Sequence, residues 1–247
     1  MPKFPSGLSL KMPVAPSLLN QPRQQAAANP QANQPGGLAG KQDAISQQIK
    51  DLPAPVFRPA FNAPTFESAK GSGWGAENNG WQTSNIENQD SFIHSKRVDT
   101  KAQGKYAGDK IHLSIQPSQV PKAYDAINSL LFSEDSPVDK WKVTDMTRVS
   151  EGSRVQQGAQ FTLYLRPTAG DSQYTAQDIK TDKSFIEAIE HKLSLEGFEP
   201  GKRPDSDVSP HHWDFASYRN EERSTRDGGV AQTEALKREP VFELLSL

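Results

Sequence analysis

Between Lys110 and Arg166 the chain alternates apolar and polar residues in three separate segments. In KIHLSIQ (Lys110 to Gln116), Ile111, Leu113 and Ile115 fall on one face of an extended strand, and Lys110, His112 and Ser114 fall on the other. The short piece KWKV (Lys140 to Val143) turns Trp141 and Val143 one way and Lys140 and Lys142 the other. In AQFTLYLR, Phe161, Leu163 and Leu165 alternate with Gln160, Thr162, Tyr164 and Arg166 before Pro167 ends the run. Each segment reads as a half-buried strand.

Two stretches change period from two to near four. QVPKAYDAINSLLF places Ala123, Ile127, Leu130 and Leu131 on one helical stripe behind Pro117 and Ser118, the expected N-cap, and SEDSPVD ends it. TDKSFIEAIEHKLSLEG predicts a second amphipathic helix that starts at Thr181 or Asp182, buries Phe185, Ile186, Ile189 and Leu193, and stops at Gly197. Strands and helices mixed in this way predict an α+β fold: one domain of antiparallel strands and packed helices.

Composition sets the expected domain boundary. Up to about Lys70 the chain is rich in Pro, Gln, Asn and Ala and holds no Trp or Tyr, so residues 1–70 are expected to form a disordered tail and residues 71–247 the folded domain. No run approaches the roughly 18 apolar residues of a membrane span, and MPKFPSGLSL lacks the apolar core of a secretory signal, so neither membrane insertion nor Sec export is expected. A net charge of -2 argues against a nucleic-acid partner. The absence of cysteine excludes thiolate nucleophiles and thiolate zinc sites.

The polar faces of the three strands carry the candidate chemistry. Together they hold Lys110, Lys140, Lys142 and Arg166 with His112 and Tyr164, and no carboxylate. Any one such face is an ordinary solvated surface, but three on one sheet would gather a cationic cluster suited to phosphate. Arg154, Arg219 and Arg226 could add bidentate grips, with Gly228 and Gly229 allowing close backbone approach; a plain charged loop accounts for the same composition. Adjacent His211 and His212 would face opposite ways on an extended chain and have no evident third ligand, so no metal is expected.

GDKIHLSI, LLFSEDSPVDKWKVTDM, GAQFTLYLRP, DSQY and SYRNEERSTRDGG resemble the phosphothreonine lyase effectors of the OspF and SpvC type, over roughly Phe92 to the C-terminus and without the N-terminal tail. The resemblance implies delivery through a type III secretion system into a host cell, and action on the phosphothreonine of a TxY activation loop in a host MAP kinase. A secretion chaperone is a further partner it allows. Phosphate would leave by β-elimination with no metal or cofactor. The family pattern implies Lys142 as general base, His112 as general acid and Lys110 as a stabiliser of developing negative charge. It places Arg154, Arg219 and Arg226 on the phosphate, and Tyr164 and Arg166 near the adjoining phosphotyrosine. Arg166 stands where relatives can carry Lys, and Tyr106 where they can carry Phe. A kinase-docking motif near the N-terminus would here consist of Lys3, Leu8 and Leu10.

Those roles make a physical demand. A lysine at its ordinary pKa of ~10.4 is neutral in only about one molecule in 2,500 at pH 7, so Lys142 needs a lowered pKa, for which neighbouring Lys110 and Lys140 and burial beside Trp141 are the expected causes. His112, near 6.5, would be protonated often enough to act as an acid. Two other functions compete with elimination: a non-catalytic phosphopeptide-binding module, and a phosphatase, which would need a cysteine, a two-metal centre or an aspartyl nucleophile.

Overall fold

The computed structural model describes residues 36–247. The chain forms α1 (Gly36–Asp51), α2 (Phe66–Lys70), β1 (Ala76–Asn78), β2 (Trp81–Ser84), β3 (Phe92–Arg97), β4 (Asp109–Leu113) and α3 (Val120–Leu131). It continues through β5 (Lys140–Thr144), α4 (Arg154–Gln157), β6 (Phe161–Tyr164), α5 (Ala176–Leu195), β7 (Ala216–Asn220), α6 (Val230–Lys237) and α7 (Pro240–Leu245). All seven strands join one sheet in the order β1-β2-β3-β5-β6-β4-β7, and every pairing is antiparallel. The expected α+β architecture is the observed one.

The alternation explains why the sheet has two unlike faces. Ile93, Ile111, Leu113, Trp141, Val143, Phe161 and Leu163 are fully buried, and they meet Val120, Ala123, Tyr124, Ile127 and Leu131 of α3 in one core with Phe185, Ile186, Ile189 and Leu193 of α5. Burying a side chain of this size contributes roughly 1.5–3 kcal/mol, so this one-sided core fixes the register of every strand and hence the polar row on the opposite face.

Four expectations need correction. The folded domain begins before Gly71: Ile49, Phe66 and Ala69 are buried, Phe57 packs edge-on against Phe185 at 5.2 Å, and Arg58 grips Asp135 through Nε and Nη2 at 2.8 and 2.9 Å. A few well-spaced apolar anchors dock this polar stretch onto a core built by later residues, and average composition hides them. The earlier part of the expected tail, residues 1–35, lies outside the described residues.

The long helix starts at Ala176, not at Thr181 or Asp182. Thr175 is its N-cap and forms a capping box with Asp178, satisfying two backbone donors that Thr181, already inside the helix, cannot reach. Ser118 is likewise no cap. It lies within a single 3-10 turn, Pro117–Gln119, and α3 follows with a proline in its first turn. Finally, YRNEERSTRDGG is not all surface loop: its first residues close β7, five buried positions at one edge of the sheet.

Candidate active site

Register builds the site. Lys142 of β5 lies opposite Thr162 of β6, Thr162 opposite His112 of β4, and His112 opposite Ser217 of β7, so one cross-strand row carries a lysine and a histidine separated by one small residue. In the next row, Lys110 lies between Tyr164 and Arg219, and Lys140 extends its ammonium over the Tyr164 ring at 5.0 Å. Both rows are on the face away from the helical core. The loop before β3 and the segments after β5 and β7 wall them into a cleft of about 410 Å³ that is lined by Lys110, His112, Lys142, Arg154, Tyr164, Arg219 and Arg226, and also by Asp90, Phe92 and Glu221.

Lys142 is the perturbed base candidate. Its pKa is lowered to about 8, first by burial and then by Lys110, Lys140 and Arg226, with Asp90 opposing them. Trp141 is not the cause of that burial, because alternation turns it into the core on the other face. The Phe92 ring provides the cover, with its centroid 3.5 Å from Nζ. At a pKa of about 8 the amine is neutral in about one molecule in ten at pH 7.

His112 is buried and held by a carboxylate absent from the sequence-based reading. Asp207 Oδ2 accepts from Nδ1 at 2.6 Å, which leaves Nε2 for the cleft. Asp207 is fixed in turn by hydroxyl donors: Ser217 to Oδ2 and Ser206 to Oδ1, each at 2.9 Å. Burial pushes the Asp207 pKa up, but these hydrogen bonds and the charge of His112 outweigh it and hold the carboxyl ionised below its usual range. For His112, burial lowers the pKa and Asp207 works against that fall; Lys110 and Arg154 add to it. An arriving dianion would join Asp207 in favouring the imidazolium.

The anion-binding groups differ in how far they are already satisfied. Arg154 comes no closer than 3.7 Å to Asp207, and its buried Nε and Nη2 make no hydrogen bond. Arg219, buried on β7, spends Nε on the Ser224 hydroxyl at 3.1 Å and faces Lys110 across the ladder. Lys110 pairs with Glu221 at 2.6 Å, and burial lowers its pKa while Glu221 resists. Tyr164 is pushed up to about 12, mainly by burial, and is therefore a neutral phenol at physiological pH. Arg219 also reaches Ser206 and the Ser224 carbonyl, so Arg154 is the cation that faces this space with buried donors unpaired, which is costly unless an anion occupies it.

Backbone contacts hold the arginine loop near Asp207. Gly228 has φ +73° and lies where a Cβ would come within 2.7 Å of the Asp205 carbonyl oxygen, so the loop that carries Arg226 rests directly on the loop that carries Asp207.

Not every candidate converges. Arg166 does not line the cleft; its Nε and Nη2 donate to the Gly104 carbonyl at 3.0 and 2.8 Å. His211 and His212 stack edge to face at 5.5 Å outside the cleft lining. Lys3, Leu8 and Leu10 lie outside the described residues. The polar faces of the three strands hold no carboxylate, but the surrounding chain adds Asp90, Asp207 and Glu221 to the site. Those three sit in loops, where no periodicity reveals which way a side chain points.

The chain is similar to known proteins over most of its length. The OspF/SpvC family pattern matches residues 8–247, so the similarity reaches well upstream of Phe92. The chain is 45% identical over 204 residues to the MAPK phosphothreonine lyase of Salmonella typhimurium, covering 83% of this chain and 84% of the relative. It is 44% identical over 201 residues to phosphothreonine lyase OspF of Shigella flexneri, covering 81% and 83%. The solved structure of the Salmonella plasmid virulence C protein (SpvC) superposes with a TM-score of 0.82 at 44% identity, covering 85% of this chain and 97% of that one.

Proposed function

The chain belongs to the OspF/SpvC family, and on that premise we propose that it inactivates a host MAP kinase by eliminating phosphate from an activation-loop phosphothreonine. It is a lyase. The observation that carries this reading is the pair Lys142 and His112, set on either side of Thr162 with the unpaired guanidinium of Arg154 in the same cleft.

Neutral Lys142 removes the α-proton of phosphothreonine. As the electron pair forms the Cα–Cβ double bond, the Cβ–Oγ bond breaks, and His112 protonates the departing phosphate from Nε2. The products are a dehydrated residue, which has no hydroxyl left for a kinase to modify, and inorganic phosphate. Arg154, Arg219 and Arg226 hold the phosphate oxygens, and Lys110 stabilises the negative charge that develops during proton removal. No water attacks and no covalent enzyme intermediate forms, so the chemistry needs neither a nucleophile nor a cofactor.

The finer assignments belong to the same proposal. The substrate loop carries TxY, and its phosphotyrosine lies toward Tyr164 and Arg166; Arg166 keeps one terminal nitrogen beyond the two bonded to Gly104. The protein acts inside the host cell after type III secretion, with a secretion chaperone as an earlier partner, and Lys3, Leu8 and Leu10 dock the kinase. The relatives from Salmonella and Shigella support the host-cell setting.

The deciding experiment is mass spectrometry of a doubly phosphorylated TxY peptide treated with the protein in EDTA. Elimination yields a product one water lighter than the dephosphorylated peptide, and Lys142→Ala and His112→Ala each abolish it. A simple dephosphorylated product would mean a phosphatase. Binding without turnover would mean a recognition module.

A further inference from the structure

The catalytic face does not end at Lys142. By register, Lys142 continues to His94 on β3 and Ser84 on β2, while Lys140 continues to Lys96 and Gln82. These residues floor a second groove of about 340 Å³, open along the same side of the sheet and bordered by Trp74. Three features of this groove have no structural explanation. Lys96 and Lys140 lie directly opposite each other on neighbouring strands, an arrangement that destabilises a sheet, and both are exposed. Among the described residues neither forms an ion pair, and Lys140 has only the Tyr164 ring beneath its ammonium. The carboxylates nearby are Asp90, which is bonded to His94 at 2.8 Å, and Glu77, which register places beyond Gln82. Trp74 is 85% exposed although its turn is pinned, with the Gly73 carbonyl accepting from Asn85 N at 2.9 Å.

We propose that the Trp74–Lys96–Lys140 groove is an extended substrate subsite, which takes a carboxylate-bearing side chain of the substrate polypeptide flanking the phosphothreonine, with Trp74 covering its backbone. This rests on the lyase reading above, and it adds residues that the elimination does not use. Neighbouring strands are ~4.8 Å apart, so β2 lies roughly 10 Å beyond β5, a distance an extended peptide covers in about three residues. The acidic side chain is therefore expected about three to five residues from the phosphothreonine. A solvent-exposed indole beside two cations that have no carboxylate partner is the composition of a protein-recognition hot spot, and the groove lies on the same cross-strand rows that carry Lys142.

The test compares three phosphothreonine peptides: one with two residues on each side, one with seven on each side including acidic residues at positions three to five, and the same long peptide with serine in place of the acids. Wild type should favour the acidic long peptide. In Lys96→Glu and Trp74→Ala, kcat/KM for that peptide should fall about fivefold or more through KM, while the short peptide stays within about twofold of wild type. Lys96→Glu should also erase the preference for acidic over serine flanks. If both variants retain wild-type discrimination while the short peptide is still cleaved, the subsite is wrong and the lyase reading stands. If wild type eliminates phosphate from none of the three, the lyase reading itself fails.

Discussion

Lys142 and His112 are both cross-strand partners of Thr162, one on each side of it. Two strand spacings of ~4.8 Å put their backbones roughly 10 Å apart, and the side chains lean in from both sides over the buried threonine. In the proposed reaction that gap takes the substrate Cα–Cβ bond, with the α-proton toward Lys142 and the leaving oxygen toward His112. The size of residue 162 therefore matters more than its polarity. Thr162→Leu should fill the gap and lower kcat/KM by about 100-fold or more, because a misplacement of about 1 Å costs that much. Thr162→Val, of equal volume, should stay within about threefold. Steady-state kinetics, with circular dichroism to confirm folding, checks both.

Asp207 touches no reacting atom and acts through His112. Replacing it with Asn removes the charge that opposes the effect of burial on the imidazole, so His112 should become harder to protonate. Asp207→Asn is expected to lower kcat by about 10²–10³ and to move the ascending limb of the kcat/KM profile to lower pH. A change in melting temperature with an unmoved pH profile would assign it a purely structural role.

The pH profile itself should show an inverted assignment. The proposed mechanism needs Lys142 neutral and His112 protonated; Lys142 has a pKa of about 8, while that of His112 is lowered from 6.5 by burial, so the two pKa values stand in reverse order for these tasks. The product of the two required fractions rises up to the His112 pKa, stays flat, and falls above the Lys142 pKa. The descending limb of kcat/KM, near pH 8, therefore reports the lysine. Asp90 opposes the lowering of that pKa, so Asp90→Asn should move the descending limb to lower pH and raise the plateau. The substrate phosphate ionises near pH 6 and complicates only the other limb.

Away from the site, Asp182 of α5 is 4% exposed, its Oδ2 has no hydrogen-bond partner, and its pKa is raised well above the carboxylate range by burial first, then by Asp178 and Asp109. A raised folded pKa means that the stability is present in acid, below the unfolded value, and is lost as pH rises toward the folded one. Asp182→Asn should remove that loss and raise stability at pH 7.5 by about 1–3 kcal/mol, a melting shift of several degrees. The gain over wild type should shrink as pH falls toward 4, which differential scanning calorimetry across pH would show.

Where one face was buried and the other free, the chain could be read directly. β4, β5 and β6 show strict alternation, and those three strands hold Lys110, His112, Lys142 and Tyr164. β7 showed nothing, because all five of its residues are buried and Ser217, Arg219 and Asn220 are polar on an enclosed strand. β1 and β2 are too short for a period to register. The early docking of Phe57 and Phe66 was hidden because an isolated aromatic in a polar stretch has meaning only once the surface that receives it exists.

The sequence by itself determined the class of fold, the polar face on which chemistry could gather and, through its motifs, the family to which the chain belongs. Those follow from local periodicity and from residue types, both properties of a linear string. Tertiary structure alone decided which strands are neighbours, and with that the Lys142–Thr162–His112 row, the Asp207 support beneath the histidine and the exclusion of Arg166 from the cleft. Non-adjacent strand order and loop direction arise from long-range packing, in which each side chain's environment is set by residues tens of positions away.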